Sequence, residues 1–153
     1  MTLSPTITTS SDITLVTLQN CPSELKFTAD VFERIGALGV DVDMISLAPA
    51  HGAYTSASFT IADNDLDKIF GFTSELHDTA KIKVIVSSGN SKISVYDPNM
   101  RNAPGFAAQV FAAAAGANAD IRIITTSEVD ISLLVTAADF QETLNALQEK
   151  LHS

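Results

Sequence analysis

The sequence predicts an α+β protein made of two similar units, in which helices pack on small β-sheets. Three observations predict this fold class. The chain has 153 residues, which is enough for one ordinary domain or for two small ones. Hydrophobic residues make up 46% of the chain, as is typical of globular proteins. Finally, the order of strand-like and helix-like segments in the first half of the chain recurs in the second half.

A comparison of the chain with itself at an offset of 79 residues shows this repeat. Residues 28–46 align with residues 107–125 without a gap. Five of these 19 positions carry the same amino acid in both copies: Ala29/Ala108, Val31/Val110, Phe32/Phe111, Asp41/Asp120 and Ile45/Ile124. Five identities alone fit chance, but the repeated order of the surrounding elements favours a duplication.

The first unit reads as βαββαβ. Its first strand is the apolar run Ile13–Leu18, which ends at a breaker, Asn20-Cys21-Pro22. Apolar residues at helical spacing then predict a helix that ends before Gly39. The alternation in Val40–Met44 is typical of a half-buried strand. The rest of the unit is a loop, a strand, a helix and a closing strand, which are Ala48–Ala53, Tyr54–Ile61, a segment beginning at Asp63, and Lys81–Val86.

The second unit reads as βαββα and lacks the last strand. A turn at Ser88-Gly89-Asn90 leads into it, and Pro104 suits the first turn of a helix that continues through Ala117. Residues 136–139 resemble a capping box before a helix with apolar residues at helical spacing. The strands of this unit are predicted at Lys92–Tyr96, Asp120–Thr126 and Val129–Val135.

The segment Pro5–Thr9 has the composition of a strand and precedes the first unit. If it pairs into the second sheet, each sheet has four strands and no unpaired edge is left open to aggregation. The predicted domains are therefore residues 10–87, and residues 88–153 together with 4–9. A disordered N-terminal tail is the alternative reading.

Composition and charge exclude several classes of function. Lys plus Arg number 9 and Asp plus Glu 18, so the net charge is −9 and nucleic-acid binding is not expected. The single cysteine, Cys21, permits no intrachain disulfide. No segment is long and apolar enough to span a bilayer, so we expect a soluble, cytoplasmic protein. Since charged residues make up only 18%, part of the surface is expected to be buried against another copy of the chain.

The sequence also argues against an active site. His51, His77 and His152 lack the spacing of metal ligands, and the glycines are scattered singly rather than gathered in a phosphate-binding loop. We therefore predict no catalytic residues, no metal and no cofactor.

The second unit carries a set of motifs that resembles one family. These are Lys92-Ile93-Ser94-Val95, Met100, the segment from Pro104 to Phe111, and the segment from Ile124 to Ser132. They look like the tandem ACT domains at the C-terminus of aspartate kinases, and the run Thr126-Ser127-Glu128 is the most specific part. The resemblance covers about Thr6 to Leu151. It implies two ferredoxin-like units, the second completed by the N-terminal strand.

The resemblance implies a regulatory role. In that family ACT units pair within and between chains and bind an amino-acid end product, lysine or threonine, which lowers the activity of a linked or partnered kinase domain. The catalytic half of the family is absent from this sequence. The chain therefore looks like a regulatory β-subunit, a detached regulatory fragment or a free-standing relative. A homodimer, an amino-acid effector and a kinase catalytic subunit are the implied partners.

The resemblance also places the effector-binding residues. In the second unit, Gly105 permits close approach of the effector carboxylate to the start of a helix, and Glu128 is suited to pair with a lysine ammonium. A plain polar turn is the alternative interpretation of Ser127 and Glu128. The full predicted set in this unit is Met100, Asn102, Gly105, Phe106, Ala107, Thr126, Ser127 and Glu128.

The first unit departs from the family pattern. Lys26 stands where the glycine of the motif is usual, and Leu47 stands where threonine-regulated relatives tend to have glutamine. Asp43 occupies a position where the family often has an aspartate close to the effector. The predicted effector residues of this unit are Ser23, Lys26, Phe27, Asp43 and Leu47.

Two other classes of function compete with amino-acid sensing. One is a ligand-free module that only dimerises or assembles. The other is a small enzyme on a ferredoxin-like sheet, such as an acylphosphatase, which needs an arginine at a phosphate-binding loop. Arg34, Arg101 and Arg122 have no such loop beside them, so this class is disfavoured.

Overall fold

The computed structural model describes residues 5–152 and confirms the predicted α+β class. The described chain divides into two compact units. Residues 12–88 form the first unit, and residues 5–11 together with 89–152 form the second unit. Two long strands, β1 (Thr6–Pro22) and β4 (Lys83–Tyr96), contribute residues to both units.

The first unit contains most of β1, the strands β2 and β3, two helices and the start of β4. The sheet order is β2-β3-β1-β4, and β3 pairs antiparallel with both β1 and β2. A 3₁₀ turn at Asp63–Asp65 precedes the second helix. The bounds of the new elements are α1 Leu25–Ala37, β2 Ile45–Leu47, β3 Tyr54–Ala62 and α2 Leu66–Ala80.

Both helices of the first unit pack against its sheet. The buried face of α1 carries Val31 and Ile35, and that of α2 carries Ile69, Phe72 and Leu76. These side chains form one core with Val16, Leu18, Phe59 and Ile61 from the strands. The apolar residues at helical spacing thus lie on one side of each helix, and that side packs against the sheet.

The second unit contains the remainder of β4, a 3₁₀ turn at Pro98–Asn102, two helices and two strands. Its strand order is β1-β4-β6-β5, so the first residues of β1 occupy the edge beside β4. Ile7 from this segment packs against the core of the second unit. The predicted completion of the unit by an N-terminal strand is confirmed. The bounds are α3 Phe106–Gly116, β5 Ile121–Thr126, β6 Asp130–Thr136 and α4 Phe140–His152.

The core of the second unit joins α3 and α4 to the central strands. Val110 and Leu147 are fully buried and meet Ile93 and Leu133 from β4 and β6. Before α4, the Asp139 carboxylate accepts hydrogen bonds from the Asp120 N–H at 2.9 Å and from the Thr136 hydroxyl at 3.1 Å. The carboxylate therefore ties the start of β5 to the start of α4, which differs from the capping box that the sequence suggests.

The strand predicted at Val40–Met44 is wrong, because the structure places β2 at Ile45–Leu47. The burial of residues 40–44 does alternate, with Val40 and Met44 buried and Asp41 and Asp43 exposed. However, the Met44 N–H donates to the Thr60 hydroxyl at 2.9 Å. The Asp43 N–H and the Met44 carbonyl bond to the backbone of the same residue, Thr60, at 3.1 and 3.0 Å, so the regular ladder begins only at Ile45.

Two predicted interruptions are also wrong, since strands run through them. The predicted turn at Ser88-Gly89-Asn90 lies inside β4, where Gly89 has a φ of 73°. The predicted breaker at Asn20-Cys21-Pro22 lies inside β1, where the register with β3 shifts between Leu18 and Cys21. Both segments contain a residue with positive φ, and in β1 the register shift is typical of a β-bulge, which absorbs such a residue without ending the strand.

Candidate functional site

The second unit has a cleft of about 340 Å³ at the start of α3. Three segments surround it: the 3₁₀ turn before α3 and the first residues of α3, which are neighbours in the chain, and the more distant turn between β5 and β6. This volume lies at the lower end of the usual range for small-molecule sites. The lining residues are Met100, Arg101, Ala103, Gly105, Phe106, Ala107, Thr126, Ser127, Glu128 and Ile131.

The start of α3 forms one side of the cleft. Gly105 precedes the helix with a φ of 91°, and the Phe106 N–H donates to the Ala103 carbonyl at 3.2 Å. The N–H groups of Ala107 and Ala108 belong to the first turn, where no carbonyl of the helix itself is in position to accept them. Since the helix dipole is positive here, this side of the cleft favours a negatively charged group such as a carboxylate.

The turn between β5 and β6 forms the opposite side. The Ser127 N–H donates to the Asp130 carbonyl at 2.8 Å, and the Ser127 hydroxyl accepts from the Val129 N–H at 3.3 Å. These bonds fix the backbone of the turn. Glu128 projects from it and is 73% exposed.

An ion pair at the cleft joins the 3₁₀ turn to the turn between β5 and β6. Arg101 Nε lies 3.0 Å from Glu128 Oε2, and the Arg101 side chain is 61% exposed. Arg101 and Glu128 are the charged residues among those that line the cleft, so its formal charge is zero. The sequence prediction misses Arg101. One indication was available in the sequence, because Arg101 lies between Met100 and Asn102, which are both predicted effector-binding residues.

A buried aspartate holds the 3₁₀ turn that carries Arg101. Asp97 is 7% exposed, and its Oδ1 accepts from the Asn99 N–H at 2.9 Å. Its own N–H donates to the Val129 carbonyl at 2.9 Å, next to Glu128 in the chain. Asp97 therefore links the two segments that carry the ion pair, and the sequence prediction misses this residue too.

The structure brings together seven of the eight residues predicted for the second unit. Asn102 is exposed in the 3₁₀ turn and does not line the cleft. A Cβ atom at Gly105 would meet nothing within 4 Å, so the positive φ explains the glycine better than close approach does. The residues brought together are Met100, Gly105, Phe106, Ala107, Thr126, Ser127 and Glu128.

The helix start of the first unit is built differently. Lys26 lies inside α1, and its Nζ pairs with Asp30 Oδ2 at 3.1 Å. The Ser23 N–H donates to the Ala53 carbonyl at 2.9 Å, and Phe27 packs against the core. Lys26 thus places a positive charge in the first turn of α1, whereas the glycine of the second unit, Gly105, precedes α3.

The structure places the other predicted residues of the first unit elsewhere. Asp43 is exposed just before β2, and Leu47 is 48% exposed at the end of β2. A cleft of about 370 Å³ lies beside the 48–53 loop, and none of the five predicted residues of this unit lines it. Nearby, burial raises the pKa of the Cys21 thiol, so this thiol stays neutral.

Two general findings apply to residues 5–152. Within this range no group of three or more His, Cys, Asp or Glu side chains has an arrangement that could hold a metal ion. No helix of the described chain has both the length and the apolar character needed to cross a membrane.

Comparison with known proteins finds one matching family and a consistent set of relatives. Residues 93–151 match the family model of the ACT domain. Aspartokinase 2 of Bacillus subtilis is 28% identical over 138 residues, which are 90% of this chain and 34% of the relative. The chain thus spans about a third of the length of the curated relatives that it matches.

Solved structures with the same fold cover nearly the whole chain. The regulatory subunit of aspartate kinase from Thermus flavus has a TM-score of 0.86 at 24% identity, and the match covers 97% of this chain and 99% of that subunit. Escherichia coli aspartokinase III in complex with lysine and aspartate (T-state) has a TM-score of 0.74 at 21% identity, over 99% of this chain and 34% of that one. The resemblance to the tandem ACT regulatory region of aspartate kinases is confirmed.

Proposed function

We propose that this chain, which has the fold of the ACT regulatory region of aspartate kinases, is an amino-acid-responsive regulatory module. It matches the regulatory part of these enzymes and not the catalytic kinase domain. The observation that carries the proposal is the cleft at the start of α3, which gathers seven predicted effector residues from three separate segments.

The two sides of this cleft complement the two charged groups of a free amino acid. The first-turn N–H groups of α3 suit the carboxylate. On the other side, the backbone carbonyls of the β5–β6 turn offer acceptors for the ammonium, and Glu128, although paired with Arg101, adds negative charge there. The lysine named in the E. coli aspartokinase III complex supports an amino-acid effector. We propose lysine or threonine as the effectors of this chain.

Regulation would follow from linkage between the effector and the arrangement of the units. An effector that binds one arrangement better than another shifts the equilibrium by its difference in affinity, typically about 1–3 kcal/mol. We propose an aspartate kinase catalytic subunit as the target of this shift and a homodimer as the working form. A cytoplasmic location stays a prediction.

Thermal unfolding of the full chain with each of the twenty amino acids tests the proposal. An effector at about 100 times its dissociation constant raises the free energy of unfolding by roughly 2.7 kcal/mol. We expect such a rise for lysine or threonine. If none of the twenty changes the unfolding temperature, the ligand-free assembly module becomes the better hypothesis.

A pair of variants locates the response in the cleft. Ala107→Leu adds a bulky side chain to the lining of the cleft, so it should remove the response to the effector while the protein stays folded. Ala115→Leu is the matched control, because Ala115 is an exposed residue of the same helix outside the lining. An Ala107→Leu variant that responds like the control would place the effector elsewhere.

A further inference from the structure

We propose that Arg101 determines the charge class of the effector. By holding Glu128, it makes the cleft select an amino acid with an uncharged side chain and disfavour lysine. This inference rests on the proposed function, because it concerns the same cleft. It goes further by assigning a specificity-determining role to a residue that the sequence prediction misses.

The argument begins with the charges that line the cleft. Arg101 and Glu128 are paired at 3.0 Å and cancel, and the remaining lining residues are uncharged. A zwitterionic amino acid with an uncharged side chain keeps this balance. Lysine brings one additional positive charge, for which the cleft has no free carboxylate because Arg101 already occupies Glu128.

The geometry of the pair shows what lysine binding would require. Its ammonium would have to displace the Arg101 guanidinium from Glu128, which leaves two cations close to a single carboxylate. Both partners are largely exposed, so the pair itself is weak and can open. Opening therefore costs little, but the repulsion between the two cations remains, and it acts only against the cationic ligand.

The size of the cleft does not discriminate between threonine and lysine. A cleft of about 340 Å³ admits either a small or a long amino acid. The hydroxyl-bearing residues Thr126 and Ser127 lie on the same side as Glu128 and suit an uncharged polar side chain. The charge pair is therefore the feature of the cleft that separates threonine from lysine.

Calorimetric titration of the full chain with L-threonine, L-methionine and L-lysine tests the inference. We expect the better of the two uncharged ligands to bind about twofold to fivefold more tightly than lysine, which is the size of a solvent-exposed charge effect. The preference should shrink as the salt concentration rises, because salt screens exposed charges. Any heat of binding that persists in the Ala107→Leu variant comes from a site outside the cleft and is subtracted.

Two variants of the pair should move the preference in opposite directions. Arg101→Gln frees the Glu128 carboxylate, so the ratio of the lysine Kd to the threonine Kd should fall by about twofold to fivefold. Glu128→Gln leaves the guanidinium unpaired, so the same ratio should rise. Arg34→Gln is the control, because it opens another largely exposed ion pair, with Glu75 in the first unit, and should leave the ratio unchanged.

Wild-type protein that binds lysine at least as tightly as both uncharged ligands would overturn the inference. So would an Arg101→Gln variant with an unchanged ratio, and so would the absence of binding by all three ligands. The proposed function fails only if none of the twenty amino acids shifts thermal unfolding, so the two failures are distinguishable.

Discussion

The residue just before α3 shows how the chain shapes the cleft. Gly105 has a φ of 91°, and a Cβ atom there would meet no other atom within 4 Å. The requirement for glycine therefore comes from the backbone conformation, which side chains with a Cβ adopt only at a cost. This conformation lies between the 3₁₀ turn that carries Arg101 and the first turn of α3.

We expect Gly105→Ala to lower the free energy of unfolding by about 1 kcal/mol, because alanine is disfavoured at positive φ. Gly71→Ala is the matched control. Gly71 lies in the interior of α2 with open space around it, so alanine there should stabilise the protein by up to about 1 kcal/mol. Urea denaturation of both variants measures the difference, and equal midpoints would contradict the role given to the φ of Gly105.

The sequence identifies most of the residues of the cleft but not the contacts among them. Gly105, Ser127 and Glu128 stand in motifs that are visible along the chain. Arg101 becomes a partner of Glu128 only because the fold brings positions 27 residues apart within 3.0 Å. Asp97 likewise acts through the backbone of Val129, which no local pattern indicates. Long-range pairing of this kind depends on the tertiary structure.

At the scale of elements, helices were more predictable than strand ends. The helical spacing of Phe140, Leu144, Leu147 and Leu151 predicts α4, and all four contribute to the core of the second unit. The position of β2 was not predictable, because Asp43 and Met44 both bond to Thr60 of β3 and the regular ladder begins only after them. Periodicity reports which side chains are buried, but it does not report which partner accepts each backbone N–H.

We expect Leu147→Ala in α4 to lower the free energy of unfolding by about 2–5 kcal/mol, because it removes a fully buried side chain and leaves a cavity. The same substitution at Leu25, which is 74% exposed on α1, should have little effect. Thermal or chemical unfolding of the two variants provides the comparison. Similar losses would show that α4 contributes to the core less than its burial indicates.

At the scale of the whole molecule, the chain order and the order of strands in space differ. The opening residues of β1 belong to the second unit, although most of that unit lies some 80 residues later in the chain. The sequence does predict this arrangement, because the second unit lacks a strand and the N-terminal segment has the composition of one. The local sequence does not show that β4 continues through Gly89 without a turn.

A substitution in the opening strand tests its role in the second unit. Ile7 packs against that core, whereas the adjacent Thr8 is exposed. We therefore expect Ile7→Asp to speed hydrogen exchange of residues 89–96, and Thr8→Asp to leave it nearly unchanged. Mass spectrometry resolves these peptides. Equal exchange in the two variants would mean that the opening strand contributes little to the second sheet.

Because β1 and β4 contribute residues to both units, they also determine how the chain can be divided into fragments. A single cut between residues 88 and 89 separates most of the second unit from its own edge strand, which stays on the other fragment. The fragments would remain associated by complementation rather than fall into independent modules. To isolate the second unit, the chain must be permuted so that residues 5–11 follow residue 152 through a short linker.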